Sequence, residues 1–181
     1  MRDDLDPEPF GKLVQEIRKP RNLEGLNPIS STLPMRRARC SLTNSNANIA
    51  VTTATILTIP WDGETYDSVG SHDNVTNNTR ITIPVTGRYS GLWLFHAHLR
   101  WLAGLGGYRR AEIHRNGAAI LSGGRSQDIA SATVDITQDA WVFYDDPQGG
   151  DYFEVKVSHD SVGTINIAGI AESFFEAIHL W

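Results

Sequence analysis

GDYFEVKVSHDSVGTINIAGIAESFFEAIHLW, residues 150–181, and NNTRITIPVTGRYSGLWLF, residues 77–95, decide the fold. The later stretch opens on a Gly-Asp turn, runs through two alternating strands and ends on an aromatic one. The earlier stretch has the order strand, Pro, Gly-x-Tyr, aromatic strand. Ile81, Ile83 and Val85 alternate with Thr and Pro, the period of a half-buried strand. The strand predicted over 89–101 places Tyr89, Gly91, Trp93, Phe95, Ala97, Leu99 and Trp101 on one side. On the other it places Ser90, Leu92, Leu94, His96, His98 and Arg100. Both sides are substantially apolar, so neither is simply solvated. A sandwich buries one side in its own core, and the other needs a separate cover, such as a neighbouring subunit.

Further strands are predicted over 109–115, 133–136, 140–144, 152–158, 164–170 and 173–181. Asn116-Gly117 supplies a two-residue hairpin turn. Many short strands with turns between them imply an all-β, antiparallel sandwich over residues 35–181. Residues 1–34 differ, holding most of the eight prolines and almost no strand signal. Asp6-Pro7-Glu8-Pro9 is a helix start, and Phe10, Leu13, Val14 and Ile17 then form one apolar helical stripe. Lys19-Pro20 ends it. A helix this short does not persist alone in water, so the stripe is expected to dock on something. An extended arm follows, from Asn22 to Pro34.

The chain's 181 residues carry a formal charge of -5, which argues against nucleic-acid binding, since that needs a basic surface. No apolar run reaches membrane-spanning length, and the N-terminus shows no apolar signal core. The single cysteine, Cys40, reads as a small apolar strand residue, so packing and assembly must supply the stability that disulfides would otherwise give.

Residues 35–181 resemble the globular domain of the C1q and tumour necrosis factor proteins, a trimeric jelly-roll sandwich. The resemblance is carried by Ile81-Thr82-Ile83-Pro84-Val85-Thr86-Gly87-Arg88-Tyr89, by Tyr66-Asp67 with Gly70, by Gly150-Asp151-Tyr152 and by Ser173-Phe174-Phe175. Ile81 stands where an aromatic is usual, Gly91 where an aromatic often follows the Tyr, and the collagen stalk of the animal proteins is absent. A C1q-like domain behind a short, non-collagenous arm resembles bacteriophage virion proteins that display such domains. The resemblance implies a non-enzymatic homotrimer located in the virion after assembly in the host cytoplasm. The arm would then meet other virion proteins, and the domain would decorate tail or capsid or bind host-surface carbohydrate or protein. The family likeness also fits a secreted or cell-surface recognition module.

Leu92, Leu94, His96 and His98 are the expected trimer interface. His96-Ala97-His98 is also a weak candidate metal pair, because two His at i and i+2 on a strand point the same way. That motif suggests a cupin-like metal enzyme, but the acid that family uses shortly after the pair is missing: Arg100, Trp101 and Leu102 follow, and the nearest acid is Glu112. No resident metal, cofactor or catalytic residue is expected. Asp145-Asp146 with Asp151 is an acidic turn of the composition that calcium favours. No Gly-x-Ser-x-Gly elbow occurs, and Gly104-Leu105-Gly106-Gly107 lacks the strand-to-helix context of a phosphate loop. Recognition is expected in the loops over 62–78 and 104–108, through Trp61, Tyr66, His72 and Tyr108.

Overall fold

A computed structural model describes residues 36–42, 48–86, 89–130, 132–169 and 172–181. The predicted arm and its docking stripe (Phe10, Leu13, Val14, Ile17) lie outside these residues. Among the described residues fourteen strands, numbered in chain order, form two antiparallel sheets and no helix is present. The first sheet contains β1 (Arg37–Ser41), β2 (Ile49–Thr52), β4 (Gly63–Asp67), β7 (Leu92–Trp101), β11 (Ile136–Asp145), β13 (Thr164–Ile167) and β14 (Phe174–His179). The second contains β3 (Leu57–Thr58), β5 (His72–Asp73), β6 (Asn77–Thr82), β8 (Gly107–Arg115), β9 (Ala118–Ala119), β10 (Arg125–Ala130) and β12 (Tyr152–His159).

Strand β7 is the spine of the first sheet, with β11 along one edge and β14 along the other. Beyond β14 lie β1 and then β4. In the second sheet β12 is central, flanked by β8 on one side and by β6 and β3 on the other. The inner side of β7, namely Trp93, Phe95, Ala97, Leu99 and Trp101, is fully buried. It meets Phe153, Val155 and Val157 of β12 and Ala111 and Ile113 of β8, all buried in one core cluster. The Phe95 and Phe153 rings stack with centroids 3.7 Å apart, joining the two sheets. Removing an aromatic side chain from such a core costs about 3–5 kcal/mol.

Several local expectations change. The strand after Tyr89 starts at Leu92, because Gly91 bends the chain at φ +110. Of the two strands expected over 133–136 and 140–144, the second is part of one strand, β11, that runs from Ile136 to Asp145, while 133–135 are not strand. Residues 62–78, read as a loop, carry β4, β5 and the start of β6. β4 and β5 are short polar edge strands, and β6 lies between β5 and β12; their alternation is too weak to see in sequence. The hairpin turn is as expected: Asn116 (φ 51) and Gly117 (φ 82) both adopt the left-handed region that a type I′ turn requires.

A β-carbon placed on Gly91 would lie 1.8 Å from the Trp181 carbonyl oxygen, whereas one on Gly70 (φ +67) meets nothing within 4 Å. Gly91→Ala is therefore expected to lower the unfolding free energy by about 2 kcal/mol or more, and Gly70→Ala by only about 1 kcal/mol. Urea denaturation of the two variants checks this ordering, and equal midpoints would refute it.

Candidate functional site

The outward side of the first sheet is built by strand alternation. Strand β7 contributes Leu92, Leu94, His96, His98 and Arg100, all half-buried. The register sets Trp141 of β11 opposite His96, and Phe143 opposite Leu94. On the other edge Glu176 of β14 lies opposite His96, Phe174 opposite His98 and Ile178 opposite Leu94. Beyond β14, Arg39 pairs with Glu176 and Arg37 with Ile178. Trp141 is 58 % exposed and Phe143 52 %, packed edge to face at 5.7 Å. These two rings, with Leu92, Leu94 and Ile178, leave much of this side apolar although the core is already filled elsewhere. Residues 122–125 strap the nearby edge of the sandwich: Gly124 N–H donates to the Trp141 carbonyl (3.1 Å), and the Gly124 carbonyl accepts from Ile113 N–H (2.6 Å).

A polar network lies within this apolar surface. Asp139 Oδ1 accepts from His96 Nε2 and His98 Nδ1, both at 2.8 Å, while His96 Nδ1 lies 3.1 Å from Glu176 Oε1. Tyr66 donates its hydroxyl to Glu176 Oε2 at 3.0 Å. His96 faces a carboxylate at each ring nitrogen, and only the imidazolium donates at both. The Glu176 hydrogen bond accordingly lifts the His96 pKa above its ordinary 6.5, and Asp139 adds to this, while burial pulls the other way. The same His96 contact holds Glu176 below its usual 4.5 against burial. For Asp139 burial raises the pKa, but the hydrogen bonds from His98 and His96 outweigh it and keep the carboxyl low. Half-exposed ion pairs of this kind contribute about 0–1 kcal/mol each to stability, far less than one core aromatic ring. Stability of the fold therefore does not explain the network.

His96 and His98 do point the same way, as their spacing predicts. Their bonded nitrogens are taken by carboxylates, and among the described residues no group of three or more His, Cys, Asp or Glu is arranged to hold a metal ion. The acidic turn is likewise structural at Asp151. Its carboxylate accepts from Arg115 Nε (3.0 Å) and Nη2 (2.7 Å), from Asn116 Nδ2 (2.7 Å) and from Gln148 N–H (2.8 Å). The four residues expected to form recognition loops are not one exposed cluster. Trp61 is fully buried and stacked on Phe175 at 6.1 Å. The His72 side chain is closed to solvent, 3.7 Å from Glu64. Tyr66 belongs to the outward side of the first sheet, under the Arg37 guanidinium at 4.2 Å. Tyr108 is the second residue of β8, under the Arg110 guanidinium at 5.2 Å. Trp141, Phe143, Asp139 and Glu176 were not singled out from the sequence. The exposed series Asp139-Trp141-Phe143-Asp145 was the available signal, but its direction depends on the β7–β11 register.

No family model and no curated protein matches the sequence. The fold does match solved structures. The globular domain of zebrafish complement 1qA protein superposes with a TM-score of 0.56 at 9 % identity, over 81 % of this chain and 98 % of that one. Murine APRIL at pH 5.0 gives a TM-score of 0.58 at 9 % identity, covering 81 % and 99 %. Eiger TNF from S. frugiperda gives 0.52 at 13 % identity, covering 82 % and 94 %. The sandwich is thus a C1q/TNF-like jelly roll, and at these identities the likeness concerns the fold alone.

Because carboxylates raise the His96 pKa in the folded state, the stability it contributes is complete below pH 6.5 and is lost as pH rises through the folded value. Titrating the His96 ring resonances by NMR should give a midpoint above 6.5, moving downward in Glu176→Gln. A midpoint unmoved by that substitution would remove Glu176 as the cause.

Proposed function

We propose that this chain is a non-enzymatic virion protein whose sandwich closes into a homotrimer through the outward side of the first sheet. One observation carries the assembly: a sheet whose inner side already fills a core presents Leu92, Leu94, Trp141 and Phe143 outward. Contiguous apolar surface of this kind marks an interaction site on a soluble protein. The C1q and tumour necrosis factor domains, which this sandwich resembles in fold, assemble as trimers, and a closed ring hides the surface without leaving an open end. The non-enzymatic part rests on the same likeness, and on a candidate site that is a broad surface with its imidazoles already hydrogen-bonded.

The virion part rests on chain organisation. A Pro-rich segment with an apolar stripe at Phe10, Leu13, Val14 and Ile17 precedes the domain. In this reading the segment docks on other virion proteins, and the trimeric knob decorates tail or capsid and meets the host surface. A secreted or cell-surface recognition module is the second reading, favoured by the likeness to the complement 1qA domain.

Light scattering on the full chain is expected to give three times the 20.0 kDa chain mass. Leu94→Glu, which puts a charge into the apolar surface, is expected to yield a folded monomer. A monomeric wild type would overturn the assembly. Co-purification of the full chain with phage particles, lost on deleting residues 1–34, separates the virion reading from the secreted one.

A further inference from the structure

The outward side of the first sheet is electrically divided. Along the β11 flank stand Asp139 and Asp145, on either side of Trp141 and Phe143, and all four are exposed. Along the β1 flank stand Arg37 and Arg39. Among the described residues neither arginine forms an ion pair with a carboxylate, and Asp145 forms none with a cation. The arginines engage aromatic rings instead: Arg37 lies 4.2 Å over Tyr66 and Arg39 lies 3.5 Å over Phe174. Negative charge thus stands on the β11 edge of the sheet, and positive charge on β1, one strand in from the β4 edge.

The register gives the two flanks matching heights. Arg37 pairs with Ile178, Ile178 with Leu94, and Leu94 with Phe143; Arg39 pairs with Glu176, Glu176 with His96, and His96 with Trp141. Rotation about an axis running along the strands leaves height unchanged, so it carries the Arg37–Arg39 flank of one copy to the level of the Phe143–Trp141 flank of the next. We infer how neighbouring copies meet: Arg37 and Arg39 of one copy stack on Phe143 and Trp141 of the next, with Asp145 of that neighbour supplying the countercharge. Guanidinium over Trp and Phe rings is a favoured pairing, and it gains when an interface removes water. The match also sets which surface meets which, the role that complementary charge plays at interfaces. This inference rests on the homotrimer reading and adds the pairing within it.

The test is a charge swap in the full chain, read by sedimentation or light scattering over a concentration series. Arg37 and Asp145 are exposed and, among the described residues, free of ion pairs, so Arg37→Asp and Asp145→Arg leave the core untouched; circular dichroism confirms folding. Each single reversal is expected to raise the concentration needed for assembly at least tenfold, and the double variant to recover most of the loss. The milder Arg37→Gln and Asp145→Asn are expected to weaken assembly less, and raising salt to weaken the wild type, because partly exposed charge pairs are screened. A wild-type trimer indifferent to both reversals, or a double variant worse than either single, overturns this pairing while leaving the trimer in place. A monomeric wild type removes the trimer and the pairing together.

Discussion

The structure depends on a strand whose two sides are both substantially apolar but only one of which is enclosed. In β7 the inner residues Trp93, Phe95, Leu99 and Trp101 are fully enclosed, and the rest of the sandwich is arranged around them. Its centre is the contact between Phe95 and Phe153, which fixes the two sheets face to face. The outer residues of the same strand are half-buried by neighbouring side chains, and apolar groups there have no second sheet above them. The strand thus completes one layer and leaves apolar side chains on its other side partly open to solvent. This constraint links packing to function more directly than any single polar residue.

The polar network follows from that position. His96 is held between Asp139 and Glu176, on strands either side of β7, so both of its ring nitrogens are committed before any ligand arrives. An imidazole fixed by two carboxylates is a poor metal ligand and a poor general base, but it keeps three strands in register at one level. It also places charge inside an otherwise apolar surface, where water would otherwise be needed to solvate it.

Much of the fold was legible in the sequence because β7 has ten residues of alternation with large aromatic side chains, a signal that short polar strands lack. The Asn116-Gly117 turn was legible for a stereochemical reason, since both residues tolerate positive φ. Residues 62–78 misled, because Asp, Gly and Ser suggest loop where β4 and β5 sit at sheet edges. The site was legible in halves: alternation alone groups Leu92, Leu94, His96 and His98. Their partners Asp139, Trp141 and Glu176 become neighbours only through strand pairing across 43 to 80 positions of sequence. Trp61 shows the opposite limit, since an aromatic beside Pro60 in loop-like sequence serves as a core plug.

The ladder between β1 and β14 has a mechanical consequence. The described fold begins and ends at one pole, where His179 N–H donates to the Arg36 carbonyl, and β1 runs from there toward the opposite pole between β14 and β4. Ladder hydrogen bonds lie across the strands. A tension applied at Arg36 and resisted at the far pole therefore loads both ladders of β1 in shear, with all their bonds sharing the force. The same tension applied between Arg36 and Trp181 would peel β1 from β14 one bond at a time. The ladder geometry thus makes resistance to force depend on direction, greater along β1 than between the two described ends.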